Sequence, residues 1–393
     1  MKKNHRFLYL DGLRGLASLA VFFWHNFLAF FYSGVDSSLP TQNFFLEKVI
    51  FPSPINILFA GDLAIFVFFV LSGFCISINF FVEKDDNALK ASFIKRYIRL
   101  MPAVFVSCMV GWVFYHLFNG ESQKLASINH SAWLSLNWSN FDSNIFYTIW
   151  LSLYGTWTTA ISPDRILNSN LGTLRMEIIG SFIIYMFILF FYTEKIKESL
   201  RIYFSLTLIF LSLFFDVDFF VIFFGMFIAD LYVNKNDFLM KNLDRLFYFF
   251  ILFGVFIGCM NVANIKPDSF MYYLYLPITH TLTLLNQNPF HYPRALSAIF
   301  IFLALLSSNK MQKVFSHPIF LFLGKYSYAL FLTHTVFLLT ITSFMINNLS
   351  RFNLFSYSGN VLFSFFATLP LLILFTYFIN HIDQFAIKLS RKI

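Results

Sequence analysis

Arg14 and His25 stand eleven residues apart in a stretch, residues 8–31, that is otherwise almost wholly apolar. On a helix turning about 100° per residue, that spacing is about three full turns plus 20°. Both side chains therefore leave nearly one face, about 16.5 Å apart along the axis. A guanidinium is suited to grip a phosphate, and an imidazole is suited to take a proton near neutral pH. One helix face thus offers an anion grip at one level and a base at another, a separation close to the reach of a pantetheine arm.

The other charged groups within apolar runs are few. They are Asp62, then Arg175 and Glu177 together, then His334, with Arg96 and Arg99 at the mouth of a further run. A charge at the centre of a membrane helix costs about 2.5–3.5 kcal/mol on insertion scales, so each asks for a reason. Plainer roles stand beside the chemical ones. A lone His can join two helices by a hydrogen bond. Asp62 can cap a helix, Glu177 can be neutralised by Arg175 or another Arg, and Arg96 and Arg99 can be ordinary positive-inside residues. Asp11, Lys325 and Asp230 fall near run ends and are expected at the interface.

The elements that must hold these residues follow from composition. The chain of 393 residues is 58% hydrophobic and 21% aromatic but only 12% charged, with 59 Phe. A soluble domain carries about a quarter charged residues, and so much Phe exposed to water would invite aggregation. The net charge of +8 comes without a basic run of the kind that grips nucleic acid. Cys75, Cys108 and Cys259 have neither disulfide-framework nor zinc spacing, so no metal is expected.

Apolar runs near 20 residues, the length that crosses a bilayer, fall at 8–31, 57–81, 98–118, 171–192, 200–215, 217–233, 246–262, 294–308, 319–345 and 360–380. The expectation is an all-α polytopic membrane protein of about ten spans, one domain over 1–393, with the first run a retained span rather than a leader. Residues 119–170 form a polar, Trp-rich segment on the outer side, with 144–161 apolar enough to be re-entrant; 269–286 is similar. With both termini cytoplasmic, seven of the 28 basic residues face outward and 21 inward. Counting from run ends, His25, Asp62 and Glu177 then share one layer toward the outer side, His334 lies somewhat deeper, and the arginines gather at the cytoplasmic side.

Five blocks in order carry a resemblance over nearly the whole chain. They are Tyr9-Leu-Asp-Gly-Leu-Arg-Gly-Leu-Ala-Ser18 with His25, Phe68-Phe-Val-Leu-Ser-Gly-Phe74, Arg96-Tyr-Ile-Arg-Leu-Met-Pro102, Leu171-Gly-Thr-Leu-Arg-Met-Glu-Ile-Ile-Gly-Ser181, and Leu323-Gly-Lys-Tyr-Ser-Tyr-Ala-Leu-Phe-Leu-Thr-His334. The chain resembles the integral-membrane acyltransferase family 3, bacterial O-acetyltransferases of surface and secreted glycans. It departs from that pattern where Gly172 stands for Trp, Arg175 adds a charge, and Phe331 stands for Tyr.

The resemblance implies transfer of an acyl group, usually acetyl, from cytoplasmic acyl-CoA (acetyl-CoA) to a hydroxyl of a glycan or lipid-linked glycan. The acceptor could belong to an O-antigen, a capsule, an exopolysaccharide or an oligosaccharide. Arg14, Arg96 and Arg99 would hold the donor phosphates. His25 would be the general base, with Asp62 or Glu177 fixing its tautomer. His334, Ser72 and Arg175 would line the acceptor pocket, and Ser72 or His25 could carry a covalent acyl group. The site would be the bacterial inner membrane, with membrane lipid as a further partner and no nucleic acid. Some relatives carry a periplasmic domain after the membrane part. This chain, ending at Ile393, would act alone or pass the group on. A proton-coupled transporter built on His25, Asp62 and Glu177, or a non-catalytic glycan-export subunit, are the rival readings.

Overall fold

A computed structural model of the chain describes residues 7–36, 39, 47–51, 53–83, 86–192, 196–234, 236–259, 272–273, 275–277, 280, 291–353 and 355–392. Among these, every regular element is helical. The principal helices are α1 (Leu8–Phe30), α2 (Gly61–Glu83), α3 (Asp86–Phe118), α4 (Leu171–Phe191), α5 (Glu198–Phe215) and α6 (Val217–Asn234). They continue with α7 (Asn236–Gly258), α8 (His291–Ser307), α9 (Asn309–Phe315), α10 (Pro318–Phe337) and α11 (Tyr357–Ser390).

Eight helices among the described residues are long and apolar enough to cross a membrane, nine if α8 and α9, bent by 102° at their junction, count as one span. Hydrophobic on all sides, such helices need lipid on the face that no protein covers. Phe190, Phe215 and Phe366 are accordingly 62%, 84% and 65% exposed. The seventh expected span, 246–262, falls in α7, whose described apolar part is Arg245–Gly258. Its expected end and most of 269–286 lie outside the described residues.

Two helices run well past the apolar runs. α3 has 33 residues, about 50 Å against a hydrocarbon core of about 30 Å, and begins twelve residues before the expected start at 98. Arg96 and Arg99, expected at the mouth of the span, thus sit well inside a continuous helix. α11 extends to Ser390 and brings Asp383 into the fold. In both cases charged residues hid helical continuation from a hydropathy reading.

Glycines fix the tightest crossings. A β-carbon on Gly15 would lie 2.4 Å from Gly324 N, and one on Gly73 would lie 1.9 Å from Ile222 O, so α1 on α10 and α2 on α6 meet backbone to backbone. Gly12 abuts Phe315 and Phe320, Gly15 abuts Leu323 and Gly324, and His25 meets His334. The contacts advance together, so α1 and α10 are parallel.

Residues 119–170 fold as short helices, Glu121–Asn129, Ala132–Leu136 and Ile145–Trp150, followed by a π turn, Leu151–Gly155. The segment is tied to the end of α1: Asn129 Nδ2 donates to Ala29 O at 2.7 Å, and Ser131 Oγ to Leu28 O at 2.6 Å. Asp230 corrects one expectation. It is 2% exposed, not interfacial, and receives two hydrogen bonds from Arg201 at 3.1 and 3.0 Å.

Candidate active site

Ten residues beyond the Gly15–Gly324 contact in each helix, His25 faces His334. His25 Nδ1 is 2.8 Å from His334 Nε2, and both residues are buried. The other ring nitrogen of His334, Nδ1, lies 2.7 Å from the Leu330 carbonyl oxygen one turn back. A carbonyl only accepts, so His334 Nδ1 carries the hydrogen and, in the neutral ring, Nε2 is the lone-pair nitrogen. His25 Nδ1 must then donate to it. That leaves the His25 lone pair on Nε2, which makes no hydrogen bond among the described residues. A backbone carbonyl, acting through a second histidine, selects the basic tautomer of the first.

The polar segment 119–170 supplies the frame. Trp133 stacks on the His25 ring with centroids 5.2 Å apart. Asn170 points its Nδ2 at His334 Nε2, 3.4 Å away, and donates to Phe331 O at 2.8 Å. Asn168 donates to Leu332 O at 2.8 Å and accepts from Thr335 Oγ1 at 2.8 Å. Two asparagines two residues apart, just ahead of α4, thus hold the His334 turn from both sides. Directly after that turn the helix relaxes into a π turn, Leu338–Thr342, an irregularity frequent at functional sites.

The arginines form the second centre. Arg14 Nη1 donates to Asp11 Oδ1 at 3.2 Å, with the Cys75 thiol beside it. Arg96 Nη2 meets Glu177 Oε1 at 2.5 Å and donates to Ser72 Oγ at 2.9 Å, while Ser72 donates to Glu177 at 2.9 Å. Arg99 has Arg96, Arg14, Asp383 and Glu177 as its electrostatic neighbours. Arg14 of α1 is thereby gathered into one field with Arg96 and Arg99 of α3, which lie 82 and 85 residues further along the sequence. Tyr328 of α10 stands in the same field, its hydroxyl donating to Leu100 O at 3.1 Å.

The two carboxylates expected at His25 are elsewhere. Asp62 lies 3.3 Å from Arg294 Nη1, and Glu177 belongs to Arg96 and Ser72. Neither makes a hydrogen bond to His25 among the described residues, so the expected carboxylate–imidazole contact is corrected to an imidazole–imidazole one. Depth along a helix could be counted from its end, but the direction each side chain faces could not. His334, expected deeper, is level with His25. Arg175 does not pair with Glu177; its Nη1 lies 3.7 Å from Met176 Sδ.

Several residues of these centres carried no expectation. Asp383 fell beyond the last apolar run. Trp133, Asn168 and Asn170 sit in the polar segment, where an Asn-x-Asn before a span was the available signal.

The chain matches the acyltransferase domain family over residues 7–379. It is similar to O-acetyltransferase PaAT-1 of Phomopsis amygdali, 22% identical over 382 residues that cover 85% of this chain and 72% of that protein. No solved structure matches.

Proposed function

The chain belongs to that acyltransferase family, matched from residue 7 to residue 379, and from this premise we propose that it moves an acyl group, most simply acetyl, from acyl-CoA to a glycan hydroxyl. It is a multi-pass membrane enzyme that transfers groups other than aminoacyl groups. The named relative's description as an O-acetyltransferase supports oxygen as the receiving atom. The observation that carries the reading is the His334-fixed tautomer of His25, which leaves a free Nε2 on a buried ring.

The reaction runs in balance. The acceptor hydroxyl gives its proton to His25 Nε2 as its oxygen attacks the thioester carbonyl carbon. The C–S bond breaks, and the departing CoA sulfur takes that proton back from the imidazolium. Because His25 Nδ1–H donates to His334 before and after, no tautomer change is needed, and the transient charge is shared with the second ring. Arg14, Arg96 and Arg99 grip the donor phosphates at the cytoplasmic end. Glu177 and Ser72 hold Arg96 in place. The setting is a bacterial inner membrane with both termini cytoplasmic, and the acceptor arrives from the side of the 119–170 segment.

The test is the purified chain given radiolabelled acetyl-CoA and a panel of oligosaccharides, with CoA release and ester formation followed together. Ester formation that needs His25 is the expected result. Wild-type rates from His25→Ala would remove the base from the mechanism, and no acetyl-CoA consumption with any acceptor would remove the reaction.

A further inference from the structure

Inside apolar helices an arginine is expected to have a countercharge. Arg14 has Asp11, Arg96 has Glu177, Arg201 has Asp230 and Arg294 has Asp62, each within 4 Å. Arg99 has Asp383 as an acidic neighbour. Arg175, in the second turn of α4, has no carboxylate partner among the described residues. Its Nε is buried and without a hydrogen bond, and its Nη1 points at the weak thioether acceptor of Met176 at 3.7 Å.

Beside it is room. Gly172 lies three residues earlier, one turn up and about 60° around the helix. Gly172 lies on the exposed face of α4, where a β-carbon would meet nothing within 4 Å. Ser169 Oγ, one residue before Asn170, is also buried without a partner. Asn170 is the residue that touches His334 Nε2, and Arg175 is five residues on, about 7.5 Å of helix rise and about 140° around the axis. An unpaired guanidinium beside open space at the helix surface therefore stands within two turns of the residue that touches the histidine pair.

We propose that the acceptor is anionic: a carboxylate or phosphate on it pairs with Arg175 while its hydroxyl is presented to His25. This rests on the acyl-transfer reading. The fork of Arg175 matches either oxyanion. The anion would come from an acidic sugar or from the diphosphate of a lipid-linked glycan. Gly172 leaves the space through which it reaches the guanidinium.

The experiment uses the full chain in nanodiscs and reads binding by calorimetry, so that it does not depend on turnover. The probes are a neutral oligosaccharide, its uronic-acid counterpart, and the same neutral sugar linked to polyprenyl diphosphate. Each is measured in neutral lipid and in lipid containing phosphatidylglycerol. At least one anionic probe should bind more tightly than the neutral one. That preference should fall about ten- to a hundredfold in Arg175→Gln, the loss expected of a charge-assisted hydrogen bond. It should be partly kept in Arg175→Lys. The probe that shows the effect names the source of the anion. An undiminished preference in Arg175→Gln, or equal binding of all three probes to the wild type, overturns the proposal. So does an effect of the substitution confined to the phosphatidylglycerol dependence, which would make Arg175 a headgroup anchor. Acetyl transfer measured on the same samples tests the reaction separately: anion binding without turnover counts against acyl transfer and not against this site.

Discussion

Gly324 on α10 faces Asp11 on α1 across so short a gap that a β-carbon at Gly324 would stand 2.2 Å from the Asp11 carbonyl oxygen. The obstructing atom is backbone and cannot rotate away. Gly324→Ala should therefore push the two helices apart and cost about 1–3 kcal/mol, the usual price of overpacking. Because the same helices carry His25 and His334, fourteen and ten residues further on, acetyl transfer should fall with stability. Thermal unfolding in detergent checks the first part. Gly172→Ala is the control, since its β-carbon meets nothing and should leave the unfolding temperature in place or raise it slightly.

The tautomer argument predicts an order among the histidine variants. His25→Ala removes the base and should lower turnover by about 10² to 10⁴. His334→Ala keeps the base but frees its tautomer, and should cost less, about 10- to 100-fold, as for partners that orient a ligating histidine. Acyl-CoA binding should survive both. Equal losses, or a larger one at His334, would mean that His334 meets the substrate itself.

How much of this was legible beforehand can be seen in Arg14, His25 and His334. Intramembrane charge marked all three, and the 100° rule placed the first two on one face. What no periodicity could supply was the rotation of each helix against its neighbours, and so Asp62 and Glu177 were assigned to a histidine that they do not touch. Asp383 was missed for a different reason: its charge ended an apolar run that the helix does not obey. Asn168 and Asn170 act from a loop, where spacing carries no geometry. Backbone contacts such as Gly15 against Gly324 decide the register, and a glycine in a sequence does not say what it faces.

Binding of the donor should follow the arginine field. Arg96→Ala removes a charge-assisted contact, worth about 1.5–3 kcal/mol, and leaves Glu177 unpaired, so acyl-CoA affinity should drop at least about tenfold. Glu177→Gln keeps a hydrogen-bond acceptor for Arg96 and Ser72 and should cost less. Raising salt from about 0.1 to 1 M shortens the screening length from about 10 to 3 Å and should weaken wild-type binding. Unchanged binding in an Arg14/Arg96/Arg99 triple-alanine variant would end the donor assignment.

Topology is the last test, and the parallel contact of α1 with α10 sharpens it. Two parallel spans must be separated by an odd number of crossings. α2, α3, α4, α5 and α6 together with the bent α8–α9 pair give an even number, so one more crossing is needed between α6 and α8, and α7 is the described helix that can make it. With α7 included, α10 is the ninth crossing and α11 the tenth, which returns the C-terminus to the side of the N-terminus. The excess of basic residues then predicts that both ends lie in the cytoplasm. Reporter fusions after Asp36 and Asn347 should read outside, and fusions after Asp86 and Lys310 inside. A fusion pair flanking α7, at Asn234 and His291, should read inside and outside respectively. If both report the same side, an even number of crossings lies between them, and α1 and α10 cannot be parallel spans.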